Sequence, residues 1–352
     1  MSDNALTTTE YRNRIWYWDI LRILAMVFLV IRHSATATFE FVPTLGIDWW
    51  VSNVYGSLSA WMIPVFMMIS GASFLDPNKD VSTGKLYKRN IFKMVCAFVF
   101  WTLFYAIYNT VSGQDLKDSF IEMAFQGHFH LWFIPMIIGM YMITPLLRTI
   151  TSSNNTVICI TIVTAVTGVI IPSLQDLGLF LDNSLYTGLY NFGLCSAYVC
   201  FFFAGHLFHQ LELGSISRKI LYIIGIIATV IVFLGTFYLT VRDGHHNEDI
   251  QSDNNVFTAL QGIAIFVFFK KHFSKKTFAP ENQKLIIDLA KLTFGVYMVH
   301  VVLLAILDKA GFSPLTYPAV YMIPMLILFV LPVSFFLSWV VGKIPVIGKY
   351  IV

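Results

Sequence analysis

Ionisable residues stand inside stretches of this chain that are otherwise apolar. Between residues 19 and 40 the sequence opens Asp19-Ile20-Leu21-Arg22 and later reads Ile31-Arg32-His33-Ser34. A charged group held in hydrocarbon costs at least about 2.5 kcal/mol on insertion scales, so one that is kept there needs a partner or a task. Arg22 and His33 are eleven residues apart, about three helical turns with about 20° of offset. Both therefore share a face, about 16 Å apart along the axis. Asp19, one turn before Arg22, can pair with it. Taken alone, Arg22 reads as an anchor paired with Asp19. His33, with Arg32 beside it, reads as functional, because histidine moves a proton near neutral pH.

Two further clusters carry the same kind of residue. In Thr293-Phe294-Gly295-Val296-Tyr297-Met298-Val299-His300, Tyr297 and His300 are at i and i+3 and share a helical face. In Gly127-His128-Phe129-His130-Leu131-Trp132-Phe133, a His-x-His pair precedes two aromatic residues. No third ligand stands at a recognisable metal spacing, so no metal is expected. Trp132 and Phe133 suit an interfacial aromatic belt. Together the three clusters suggest one polar cavity opening outward.

The elements that must position these residues are membrane helices. Of 352 residues, 57% are apolar and 12% charged, and the mean hydropathy is +0.71. A soluble domain carries about a quarter charged residues. A span needs about 20 apolar residues, and ten segments qualify: approximately 19–40, 54–75, 88–110, 130–148, 156–174, 189–209, 219–241, 254–271, 286–308 and 317–342. The expected fold is all-α and polytopic, a single membrane domain over 1–352 with residues 1–18 as a cytosolic N-terminal segment. Ala35-Thr36-Ala37 imitates a cleavage site, but Arg32 and His33 interrupt the apolar run before it, so the first segment reads as a retained helix.

Lys and Arg set the orientation. With both termini in the cytosol, alternation leaves only Lys117, Arg242 and Lys309 outside, and Arg22 and Arg32 within the first span; every other Lys and Arg falls inside. The densest inner patch runs from Lys79 to Lys93, with Arg89 and Lys93 where the third helix begins. The net charge of +3 and the lack of a basic stripe give no sign of nucleic acid. Cys96, Cys159, Cys195 and Cys200 all sit in apolar runs and read as structural thiols.

The chain resembles acyltransferase family 3 of integral membrane proteins over nearly its whole length. Asp19, Arg22 and His33 fit the family's opening pattern of an aspartate, an arginine, ten residues and a histidine. Pro64, Phe66, Ser70 and Gly71 fit its second-helix signature. His130 to Phe133 fit its His-Leu-Trp-Phe motif, with Pro145 later in that helix, and Phe294, Gly295, Val296, Tyr297 and His300 fit the ninth. The family's Arg-x-x-Arg pair is altered here, leaving Arg89 and Lys93 at a different spacing.

The resemblance implies a multi-pass O-acyltransferase of the bacterial plasma membrane. It would carry an acyl group, commonly acetyl, from cytosolic acyl-CoA to a hydroxyl of a cell-surface or lipid-linked glycan. Arg22, Arg89 and Lys93 would meet the donor phosphates. His33 would be the general base, with Arg22, Tyr297 and His300 completing the catalytic set. Arg32, His130 and Trp132 would face the substrate. A homo-oligomer is compatible with all of this. The rival from another class is a secondary transporter, but such proteins often show two related halves and paired broken helices, and neither is evident here.

Overall fold

The computed structural model describes residues 14–352 except 37–38, 40, 78, 80–81, 113–126 and 180–195. Ten helices follow the ten apolar segments: α1 (Trp16–Thr36), α2 (Ile47–Phe74), α3 (Thr83–Val111), α4 (Phe129–Ile150), α5 (Asn154–Asp176), α6 (Ala197–Gln210), α7 (Ser215–Asp243), α8 (Asp249–Phe273), α9 (Pro280–Lys309) and α10 (Ala319–Gly342). There is no strand among the described residues. Eight of these helices are long and apolar enough to cross a membrane. The other two are α1, which carries Asp19, Arg22 and Arg32, and α6, described over 14 residues. The protein is an all-α polytopic membrane protein.

Local chemistry marks the helix ends. The Ser153 side chain accepts the Thr156 amide and caps the start of α5, and the Asn255 side chain accepts the Phe257 amide and caps the α-helical part of α8, Val256–Phe273. Pro280 opens α9, where no amide donor is needed. Gly244, at φ 72°, closes α7 in a left-handed cap. A short α11 (Gly348–Ile351) was not anticipated; it folds back against α3, where the Trp101 indole donates to the Ile351 carbonyl at 2.8 Å.

The most apolar stretch of α2 is 72% buried and that of α7 only 22%, so α2 forms the centre and α7 faces lipid. Central packing relies on small residues, as expected where burial in lipid gives helices no hydrophobic reason to associate. A Cβ on Gly71 would lie 1.8 Å from the Phe202 carbonyl oxygen, and one on Gly205 2.0 Å from that of Met68. The backbones of α2 and α6 are thus in direct contact. α9 packs against both α1 and α10, which brings the α1 and α9 histidines face to face.

Candidate active site

His33 projects from α1 and His300 from α9. Their rings lie nearly parallel, 5.0 Å apart with 14° between planes, and His33 Nδ1 is 2.7 Å from His300 Nε2. His300 Nδ1 is in turn 3.1 Å from the Val296 carbonyl. A carbonyl only accepts, so Nδ1 of His300 carries the hydrogen, and the neutral ring offers Nε2 as an acceptor. His33 therefore donates from Nδ1, and the lone pair of His33 lies on its own Nε2. The arrangement prepares that one nitrogen to take a proton.

Tyr297 is buried, and its hydroxyl donates to the main-chain carbonyl of His130. That bond ties α9 to the tight turn that opens α4. Tyr105 of α3 ties down the same part of α9, donating to the Met298 carbonyl at 2.7 Å and accepting from the Val302 amide at 3.2 Å. The His130 and His300 rings meet edge-on with centroids 5.6 Å apart. His128 and His130 face each other Nδ1 to Nδ1 at 2.9 Å, and burial pushes His128 down to about 4, so it is neutral. Among the described residues, no group of His, Cys, Asp and Glu is assembled to hold a metal ion.

Beneath this cluster lies a cavity of about 760 Å³. Arg22, Arg89, Lys93, Lys291 and Lys349 line it, with no carboxylate side chain among the lining residues. Its other lining residues include Met26, Leu29, Ile63, Phe66, Phe133 and Tyr297. Leu29 is one turn from His33 on α1 and Tyr297 one turn from His300 on α9, so the apolar end of the cavity stops just short of the histidine pair. The cations can hold a polyanion and the apolar end a short acyl group, with the histidine pair one helical turn beyond Leu29 and Tyr297.

The first turns of α3, Leu86–Ile91, are wound as a π-helix. Such a turn is one residue wider than an α-turn and is frequent at functional sites. Arg89 and Lys93, though not in the family's spacing, both reach the cavity. Asp19 is held chiefly by Arg14, at 2.5 Å, and Arg22 lies at 3.6 Å from it, which leaves Arg22 available to the cavity. Arg32 turns away from His33. It contacts the Gly56 carbonyl and Gln251 at 3.4 Å and Glu248 at 3.7 Å, bracing α1 against α2 and α8. Trp132 is 40% exposed and stands 5.8 Å from the Tyr198 ring, apart from the histidine pair.

The family model for the acyltransferase domain matches residues 15–343. The chain belongs to acyltransferase family 3. It is a membrane acyltransferase, and the transporter alternative has no such support. Comparisons with curated proteins and with solved structures give no match. Within this acyltransferase, sequence reasoning missed Lys291 and Lys349, which registered only as inner-face charge. Lys291 had a faint signal, standing two residues before the Thr293–His300 cluster; Lys349 had none, because only the fold-back of α11 brings it to the cavity.

Proposed function

We propose that the protein is an O-acetyltransferase of the bacterial plasma membrane, moving acetyl from acetyl-CoA to a hydroxyl of a cell-surface or lipid-linked glycan. One observation carries this reading: the His33–His300 pair, with a free lone pair on His33 Nε2, lies one helical turn beyond Leu29 and Tyr297, which line a cavity that five Lys and Arg side chains also line. The Lys and Arg distribution supports a cytosolic position for both termini and for the cationic mouth. Arg22, Arg89, Lys93, Lys291 and Lys349 would grip the phosphates by charge-assisted hydrogen bonds. The thioester would extend past Leu29 and Phe133 toward His33. A sugar hydroxyl is a poor nucleophile when neutral, and His33 would take its proton as it attacks. His300 orients His33 and stabilises the positive charge that develops on it. With its hydroxyl already donated to His130, Tyr297 is better suited to positioning than to carrying the acyl group.

The test uses membranes holding equal amounts of wild type and His33→Ala, supplied with labelled acetyl-CoA and host glycan. Base-labile label in the glycan of the wild type alone is the expected result. Equal label in both removes His33 from catalysis, and none in either, with donor and acceptor both present, argues against acetyl transfer.

A further inference from the structure

His130 is 2% exposed, and each end of the residue is differently engaged. Its carbonyl accepts from Tyr297 and its Nδ1 faces His128, while Nε2 is buried with no hydrogen-bond partner among the described residues. A buried polar atom left unpaired costs stability and is rare in native interiors. This one lies on the opposite edge of the ring from His128, in a ring that packs edge-on against His300. Tyr297, and Phe133 one turn along α4, both line the apolar end of the cavity. His130 does not itself line the cavity; its ring lies 5.7 Å from that of Tyr297, which does, and 5.6 Å from that of His300, so it stands between the cavity wall and the histidine pair.

We infer that His130 Nε2–H is the oxyanion donor of the transfer reaction, an inference that rests on the thioester-donor reading above. The Nδ1–Nδ1 contact lets either ring donate, and the donor role requires the arrangement in which His128 Nδ1–H donates to His130 Nδ1, which leaves the hydrogen of His130 on Nε2. The acceptor oxygen then bonds to the thioester carbonyl carbon while its proton passes to His33 Nε2. The carbonyl π pair moves onto oxygen and is held by His130 Nε2–H. When the intermediate collapses, that pair re-forms the C=O bond and the C–S bond breaks. The sulfur leaves with the bonding pair and takes the proton back from His33. A donor left unpaired in the resting protein has no hydrogen bond to give up when this charge forms, an advantage shared with preorganised oxyanion sites. His33 and His130 then have separate tasks, one moving the proton and the other holding the charge.

The experiment uses the full chain purified in detergent, with acetyl-CoA labelled with carbon-13 at the thioester carbonyl. His130→Phe fills the space without a donor, and His130→Gln keeps an N–H. The expected result for His130→Phe is a loss of kcat of about 10²–10³-fold with the donor KM nearly unchanged, and a smaller loss for His130→Gln. The infrared stretch of the bound carbonyl should lie at lower frequency in the wild type than in His130→Phe. Full kcat in His130→Phe, or the same stretch in both, overturns the role of His130 while leaving the donor reading intact. Should His130→Phe not fold, His130→Gln decides by the same stretch: a frequency matching the unbound donor overturns the inference. A wild type that neither binds nor consumes acetyl-CoA overturns the donor reading, and this inference with it.

Discussion

His300 donates from Nδ1 to the Val296 carbonyl on its own helix, at 3.1 Å, and so decides which nitrogen of His33 carries the hydrogen. If His33 is the base, removing His300 frees it to rotate or to adopt the other tautomer without removing it. His300→Ala should therefore lower kcat less than His33→Ala does, the latter losing about 10²–10⁴-fold, the usual share of a general base. Donor KM should hardly move in either variant. Steady-state turnover in matched membranes checks this, and a His300→Ala enzyme with normal kcat would contradict the orienting role.

Arg89 and Lys349 approach the cavity from α3 and from α11. If both hold donor phosphates, Arg89→Ala and Lys349→Ala should each raise the donor KM about tenfold, with kcat little changed. A charge-assisted hydrogen bond is worth about 1.5–3 kcal/mol before screening, and about 1.4 kcal/mol is a factor of ten. The wild-type KM should also rise with ionic strength, since mobile ions screen these charges. A KM indifferent to both residues and to salt would move the donor elsewhere.

Gly71 and Gly205 leave no room for a methyl group, because carbonyl oxygens of the facing helix occupy that space. Gly71→Ala and Gly205→Ala should each force α2 and α6 apart, costing at least the roughly 1–3 kcal/mol typical of overpacking. The expected observation is a lower melting temperature in detergent or loss of the folded protein. Gly139, whose Cβ would meet nothing within 4 Å, is the control, and Gly139→Ala should melt like the wild type.

Arg148 donates to the carbonyls of Phe74, Asp76 and Lys79 at 2.7–2.9 Å, holding the turn after α2 against the end of α4. Arg148→Lys keeps the charge but loses the planar fork that reaches several acceptors at once. It should destabilise the turn and speed proteolysis after α2 without changing kcat. Proteolysis at the wild-type rate would show that the turn holds without this clamp.

Membrane class and the places of the eight spanning helices were legible in the sequence because each span depends on apolar residues summed over about 20 consecutive positions, a local quantity that needs no knowledge of neighbours. The segment expected at 130–148 is the helix Phe129–Ile150, and that expected at 317–342 is Ala319–Gly342. The segment expected at 189–209 is described only from Ala197, its first residues lying outside the described ones, as does Lys117. Candidate site residues were legible by type, since an ionisable group inside an apolar run is costly wherever its partner lies.

Their partners were not legible. His33 and His300 are 267 positions apart, and nothing in the periodicity of either helix says that their rings stack. Arg32 and His33 are adjacent in sequence, yet the roughly 100° turn between successive helical residues sends one to Glu248 and the other to His300. Asp19 prefers Arg14 to the Arg22 that helical spacing offered, because a bidentate approach from the preceding turn is shorter. The sequence by itself determined that this chain crosses the membrane and which polar groups it keeps there. Tertiary structure alone decided which of those groups meet and which nitrogen is left free, because side-chain contact depends on how helices far apart in the chain pack.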